Sequence, residues 1–120
     1  MILDHKTLEM VVELVAEKKG ADVLVLNLSG LSMITDYCLI VTGNTSVQVK
    51  AIAEYLYENL PEIGIPVLRM EGVSAAKWVL LDCSGDLVIH VMTPGEREFY
   101  QLERLWKDAE VLTFEANKLA

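Results

Sequence analysis

Apolar positions recur along the chain first at helical spacing and then as short unbroken runs. Between about Asp4 and Lys19, Leu8, Val11, Val12 and Val15 line one face while Glu9, Glu13 and Glu17 line the other, which predicts an amphipathic helix. Lys18 and Lys19 stand where a helix C-terminus favours cations, and Gly20 is a natural stop. Val23 to Leu28 is almost continuously apolar and short, as a strand buried on both faces would be. A Ser-Gly-Leu-Ser loop leads to a second run of this kind, Tyr37 to Val41. Thr42-Gly43-Asn44-Thr45-Ser46 then opens a second helix, with Thr45 or Ser46 as its cap and Val49, Ile52, Ala53, Leu56 and Leu60 as its buried stripe. Pro61 and Gly64 end it.

Pro66 to Met70 reads as a short strand, its proline placed where no ladder donor is lost. Trp78 to Asp82 and Asp86 to Met92 form the clearest hairpin, with Cys83-Ser84-Gly85 as the loop and Gly85 in the left-handed position. That register sets Asp82 opposite Asp86 and Trp78 opposite His90. Thr93, Pro94 and Glu96 spell a capped helix start, and Phe99, Leu102 and Trp106 mark its apolar stripe. The segment after Asp108 lacks punctuation and reads as a loose tail. The order α-β-β-α-β-β-β-α predicts one α/β domain over residues 1–120, a mixed sheet of about five strands flanked by helices.

Charge narrows the partners. The 120 residues carry 10 Lys+Arg against 18 Asp+Glu, a net charge of −8 that disfavours gripping nucleic acid or an anionic membrane and favours a basic partner. No apolar run approaches the roughly 20 residues that a membrane-spanning helix needs. The N-terminus reaches Asp4 without a basic and apolar leader, and the two cysteines, Cys38 and Cys83, form no motif. A cytoplasmic protein with reduced thiols is expected.

The search for chemistry yields little. The turn before the second helix invites a phosphate, but it has neither GxGxxG nor the Lys-Ser/Thr of a P-loop, so it reads as a turn. Asp82 and Asp86 flank a turn and lack the Asp-x-Asp spacing of a metal-dependent nucleotidyltransferase. His90 has only His5 as a fellow histidine and no nucleophile at a motif spacing, so packing against Trp78 or a core hydrogen bond is the simpler role. Trp78, Leu80, Met92, Tyr100 and Trp106, with Arg97, instead gather residue types that anchor protein interfaces, although either tryptophan could equally fill the core.

The run Asp36-Tyr37-Cys38-Leu39-Ile40-Val41-Thr42-Gly43-Asn44-Thr45-Ser46, followed by Gln48-Val49-Lys50-Ala51-Ile52-Ala53, resembles the Iojap/YbeB family of ribosomal silencing factors (RsfS). Glu71-Gly72, Trp78 to Asp82, Gly85-Asp86, His90-Val91 and Arg97 to Trp106 continue the likeness, which spans roughly Ala21 to Asp108. Where the family commonly has Asp-x-Gly-Asp, this chain has Asp82-Cys83-Ser84-Gly85-Asp86; we expect the turn to absorb the extra residue. Lys77 also stands where glycine is common.

The resemblance implies a nucleotidyltransferase-like fold without an active site. It implies binding to the large ribosomal subunit through ribosomal protein L-fourteen, steric obstruction of small-subunit joining when nutrients run low, and homodimer formation. No catalytic residue, cofactor or metal is expected. The hairpin face and last helix make Trp78, Leu80, His90, Met92, Arg97 and Tyr100 the expected docking area. Two other readings compete: a degraded nucleotidyltransferase-like nucleotide binder, and a dimeric adaptor for another basic protein.

Overall fold

The computed structural model describes residues 3–33, 35–83 and 86–114. Helix α1 (His5–Glu17) starts at Asp4, whose carboxylate accepts the Thr7 backbone N–H at 2.8 Å. It buries Leu8, Val11, Val12 and Val15, the stripe its spacing predicts. Gly20, however, is not the residue that turns the chain. Lys19 takes the left-handed conformation (φ 59°), and Gly20 instead permits close approach. A Cβ there would lie 2.4 Å from Val15 Cγ1 and 2.6 Å from Val41 Cγ2.

Strand β1 (Ala21–Asn27) pairs antiparallel with β2 (Tyr37–Thr42), with an irregularity between Ala21 and Leu24 where Asp22 has φ 50°. Helix α2 (Ser46–Asn59) is capped by Thr45, whose hydroxyl accepts the Gln48 N–H at 3.2 Å. Gln48 Oε1 in turn accepts the Asn44 N–H at 2.8 Å. These side chains answer donors that a phosphate would need. Gly43 serves packing as well: a Cβ on it would meet Val49 N at 2.8 Å.

After a short turn of 3-10 helix (Pro61–Ile63), the predicted Pro66–Met70 strand is found displaced, as β3 (Arg69–Glu71). Strand β4 (Trp78–Cys83) lies between β3 and β5 (Leu87–Met92), antiparallel to both. Strand β5 runs parallel to β2 along the whole length of each. The sheet order is β3-β4-β5-β2-β1-β6, mixed as expected but with a sixth strand. That strand, β6 (Glu110–Leu112), corrects the loose tail as far as residue 114, the rest lying outside the described residues: it pairs with β1, and Phe114 beyond it is 2% exposed against the His5 ring.

The hairpin register also differs. Trp78 pairs with Met92, Leu80 with His90 and Asp82 with Val88, because β4 continues to Cys83, which pairs with Leu87. The pairing is shifted by two residues from the expected one, so Asp82 does not oppose Asp86. A two-residue shift preserves faces, and Trp78 and His90 remain diagonal neighbours on one side. The left-handed Gly85 lies outside the described residues.

Helices α1 and α2 cover one face of the sheet. Val25, Leu39, Val41, Val79, Leu81, Leu87, Ile89 and Val91 meet Val12, Val15, Ile52 and Leu56 there, all without measurable exposure. Burying each such aliphatic side chain is worth roughly 1.5–3 kcal/mol, which makes this the stabilising core. The opposite face holds a smaller cluster of Leu26, Leu28, Cys38, Ile40 and Met92.

Helix α3 (Pro94–Tyr100) is shorter than its stripe predicts, and Thr93 makes no side-chain cap bond. Gln101 turns left-handed (φ 45°), and a 3-10 stretch (Leu102–Trp106) folds back over the sheet. Leu102 and Trp106 reach the smaller cluster, whereas Phe99 is 79% exposed rather than buried.

Two glycines with left-handed backbones separate steric need from backbone strain. Gly72 (φ 90°) would place a Cβ 2.2 Å from the Trp78 carbonyl oxygen, while Gly64 (φ 86°) has nothing within 4 Å. Gly64→Ala should cost about 1 kcal/mol from strain alone. Gly72→Ala should cost roughly 1–3 kcal/mol more from the overlap, read as the difference between the two urea midpoints.

Candidate functional site

The second face of the sheet is covered unevenly, and that unevenness makes the site. Over β1 and β2, Leu102, Trp106 and Ala109 pack on Leu26, Leu28, Cys38, Ile40 and Met92. Over β4 and β5, Trp78, Leu80, Asp82, Val88 and His90 project from the same face and remain half-buried. Strand alternation puts them there: their partners on the other face, Val79, Leu81, Ile89 and Val91, belong to the main core.

Aromatic contacts organise this surface. The Trp78 indole N–H donates to His90 Nδ1 at 3.1 Å, with ring centroids 5.9 Å apart. Tyr100 from α3 lies against Trp78 at 4.8 Å, and Phe99 meets Tyr100 edge-on at 4.9 Å. Such pairs add roughly 0.5–1.5 kcal/mol each beyond their buried area. A cleft of about 230 Å³ opens beside them, lined by Glu71, Gly72, Trp78, Leu80 and His90. At its rim Arg69 stands 3.8 Å from both Glu71 and Asp82. Asp82 is thus an ion-paired sheet residue and not a turn charge.

Burial holds His90 down at about 4, so the ring is neutral at pH 7. Because Nδ1 accepts the indole proton, the neutral ring carries its own proton on Nε2. Burial pushes the Cys38 and Cys83 thiols up to about 12, which keeps both protonated and poorly nucleophilic. Among the described residues no group of three His, Cys, Asp or Glu side chains is placed to hold a metal ion.

The six residues expected to dock therefore divide. Trp78, Leu80, His90 and Tyr100 form one continuous surface, with Tyr100 48% exposed. Met92 has no exposed surface and lies beneath it. Arg97 faces inward: it donates to the Asp22 carbonyl, to Thr42 Oγ1 at 2.9 Å and to Glu103 Oε2 at 3.3 Å. It fastens α3 to β1 and β2 and so holds Tyr100 in place. Trp106, like Trp78, is partly buried against the smaller core cluster.

Sequence spacing missed Phe99, because it treated the last helix as longer than it is. It also gave no role to Glu71 and Gly72, although their adjacency in the family-like motif was a signal.

Comparison with known proteins agrees with this architecture. Residues 3–120 match the family described as "Ribosomal silencing factor during starvation", a wider span than the motif-bearing stretch. The chain is 43% identical over 112 residues to the ribosomal silencing factor RsfS of Halalkalibacterium halodurans, covering 93% of this chain and 95% of that protein. It is 46% identical over 93 residues to RsfS of Bacillus subtilis, covering 78% of each. A crystal structure of a protein from Chromobacterium violaceum superposes with a TM-score of 0.82 at 32% identity, covering 95% of this chain and 93% of that one.

Two measurements probe the site's internal bonds. His90 binds protons less readily folded than unfolded (about 4 against 6.5), so it costs nothing above pH 6.5 and withdraws stability as pH falls from there towards 4. The loss should reach roughly 3 kcal/mol, seen as the pH-dependent part of the stability difference between wild type and His90→Asn. Arg97→Ala should cost about 3 kcal/mol in urea unfolding, because it strands the Glu103 carboxylate, whose Oε1 is already buried without a hydrogen-bond partner. Arg97→Lys should restore only part, since an ammonium cannot fork to all three acceptors.

Proposed function

Because the chain belongs to the ribosomal silencing factor family and is a ribosome-associated regulator of translation, we propose that it docks on the large ribosomal subunit through ribosomal protein L-fourteen. Bound there, it obstructs joining of the small subunit and lowers translation when nutrients run short. The observation that carries this reading is the half of the second sheet face that the described residues cover least. It presents rigid aromatic side chains beside an apolar-lined cleft with an acidic rim.

Occlusion of this kind needs a firm patch, complementary charge and bulk, and no covalent step. Trp78, Leu80, His90 and Tyr100 supply the patch, while Met92 and Arg97 support it from below and beside. A net charge of −8 directs the domain towards a basic protein surface and away from the surrounding RNA. The same balance suits a cytoplasmic protein that makes little direct contact with nucleic acid.

Mixing isolated large and small subunits with rising amounts of the protein should progressively reduce joined ribosomes in sedimentation profiles. Unchanged joining at saturating protein would sink the proposal. Trp78→Ala and Tyr100→Ala should each weaken binding to large subunits by roughly tenfold or more while circular dichroism stays that of the native fold.

A further inference from the structure

The bond between Trp78 and His90 has a chemical condition attached to it. The indole N–H can only donate, so His90 Nδ1 must offer its lone pair. A proton on that nitrogen turns the acceptor into a donor, and the two groups then repel. We propose that His90 is a positioning residue for the docking surface: its Nδ1 lone pair orients the Trp78 indole for the partner, and protonation of that nitrogen releases it. This rests on the docking role proposed above and adds what holds the central aromatic side chain in its working pose.

The geometry concentrates the effect on this pair. His90 sits in the middle of β5, paired to Leu80 on one side and to Ile40 on the other, so its ring cannot swing away with a flexible segment. Trp78 heads β4 directly after Ala76, which is left-handed at φ 53°, and Lys77. Its indole is held between the His90 ring and Tyr100. Removing the His90 acceptor leaves the indole with its Tyr100 contact and its packing on the smaller cluster, neither of which fixes the direction of its N–H.

Among the described residues, burial and not a neighbouring charge sets His90's proton balance. On its side of the sheet β4 offers Asp82 and β3 offers Glu71, both beside Arg69. Strand β2 offers Cys38, a neutral thiol, and the C-terminal segment offers Tyr100 together with the mutually paired Arg97 and Glu103. The lowered proton affinity of His90 has burial as its cause, so the acceptor state prevails at neutral pH.

The test uses the isolated full chain and then isolated large subunits. In ¹⁵N-labelled protein, the Trp78 indole Nε1–H resonance, assigned by its absence in Trp78→Phe, should move in one transition centred near pH 4. The His90 ring nitrogens should titrate with the same midpoint, and the transition should vanish in His90→Asn, whose amide oxygen accepts without titrating. The proposal is overturned if His90 titrates while the Trp78 indole resonance stays still.

At neutral pH, His90→Leu, which cannot accept the indole proton, should bind large subunits about tenfold more weakly than His90→Asn, which can. Equal binding by a folded His90→Leu would also overturn it. If the wild-type chain fails to bind large subunits at all, the docking reading falls. The wild-type titration still judges the His90–Trp78 coupling by itself and requires no variant to fold.

Discussion

The parallel ladder between β2 and β5 is the constraint on which everything else hangs. Strands that run the same way cannot be joined by a tight turn, so the chain must leave β2, cross the sheet and return. The crossing segment carries α2, then β3 and β4, and it lays α2 on the same face that α1 already covers. That face is thereby closed by two amphipathic helices. Among the described residues the opposite face receives less: the seven-residue α3, a short 3-10 stretch and part of the loop after β1. So little chain cannot cover six strands, and the half over β4 and β5 stays open.

What occupies the open half follows from that geometry. Side chains on β4 and β5 that would be core in a fully covered sheet must instead tolerate both packing and water. Trp78 and His90 manage this as a hydrogen-bonded pair, and Leu80 and Val88 manage it by remaining half-buried. Arg97 does the corresponding work for α3. Its guanidinium reaches a backbone carbonyl exposed at the β1 irregularity, a threonine on β2 and a glutamate beyond the helix. A short helix with no side-chain cap is thus fastened by one forked cation, and Tyr100 is carried into contact with Trp78.

Charge and bulk complete the reading. In the proposed docking, an excess of carboxylates weakens any grip on phosphates and steers the domain towards a basic protein surface. Glu71 and Asp82 stand at the rim of the cleft with Arg69 beside them, so the acidic character is already arranged around the apolar surface. For the same proposed docking, rigid backing by the main core leaves the patch little to reorder, which lowers the entropic cost of association.

Much of this was legible in the amino-acid order. The stripes of α1 and α2, the doubly buried β1 and β2, the Thr45 cap and the hairpin faces all follow from local periodicity, because each depends on residues within a few turns of one another. So does the placement of Trp78, Leu80 and His90 on one face of the hairpin. The rest depended on contacts between distant residues.

Gly20 looks like a helix stop until Val41 is seen beside it, and Gly72 has no evident task until the Trp78 carbonyl approaches. Glu110 to Leu112 become a strand only because β1 has an open edge to fill. The final helix breaks at Gln101, where the Arg97–Glu103 pair draws the chain back, and this turns Phe99 outward and Arg97 inward. Sequence determined which faces are apolar; tertiary structure decided which of those faces would be covered, because coverage depends on how much chain remains once the parallel crossover has been made.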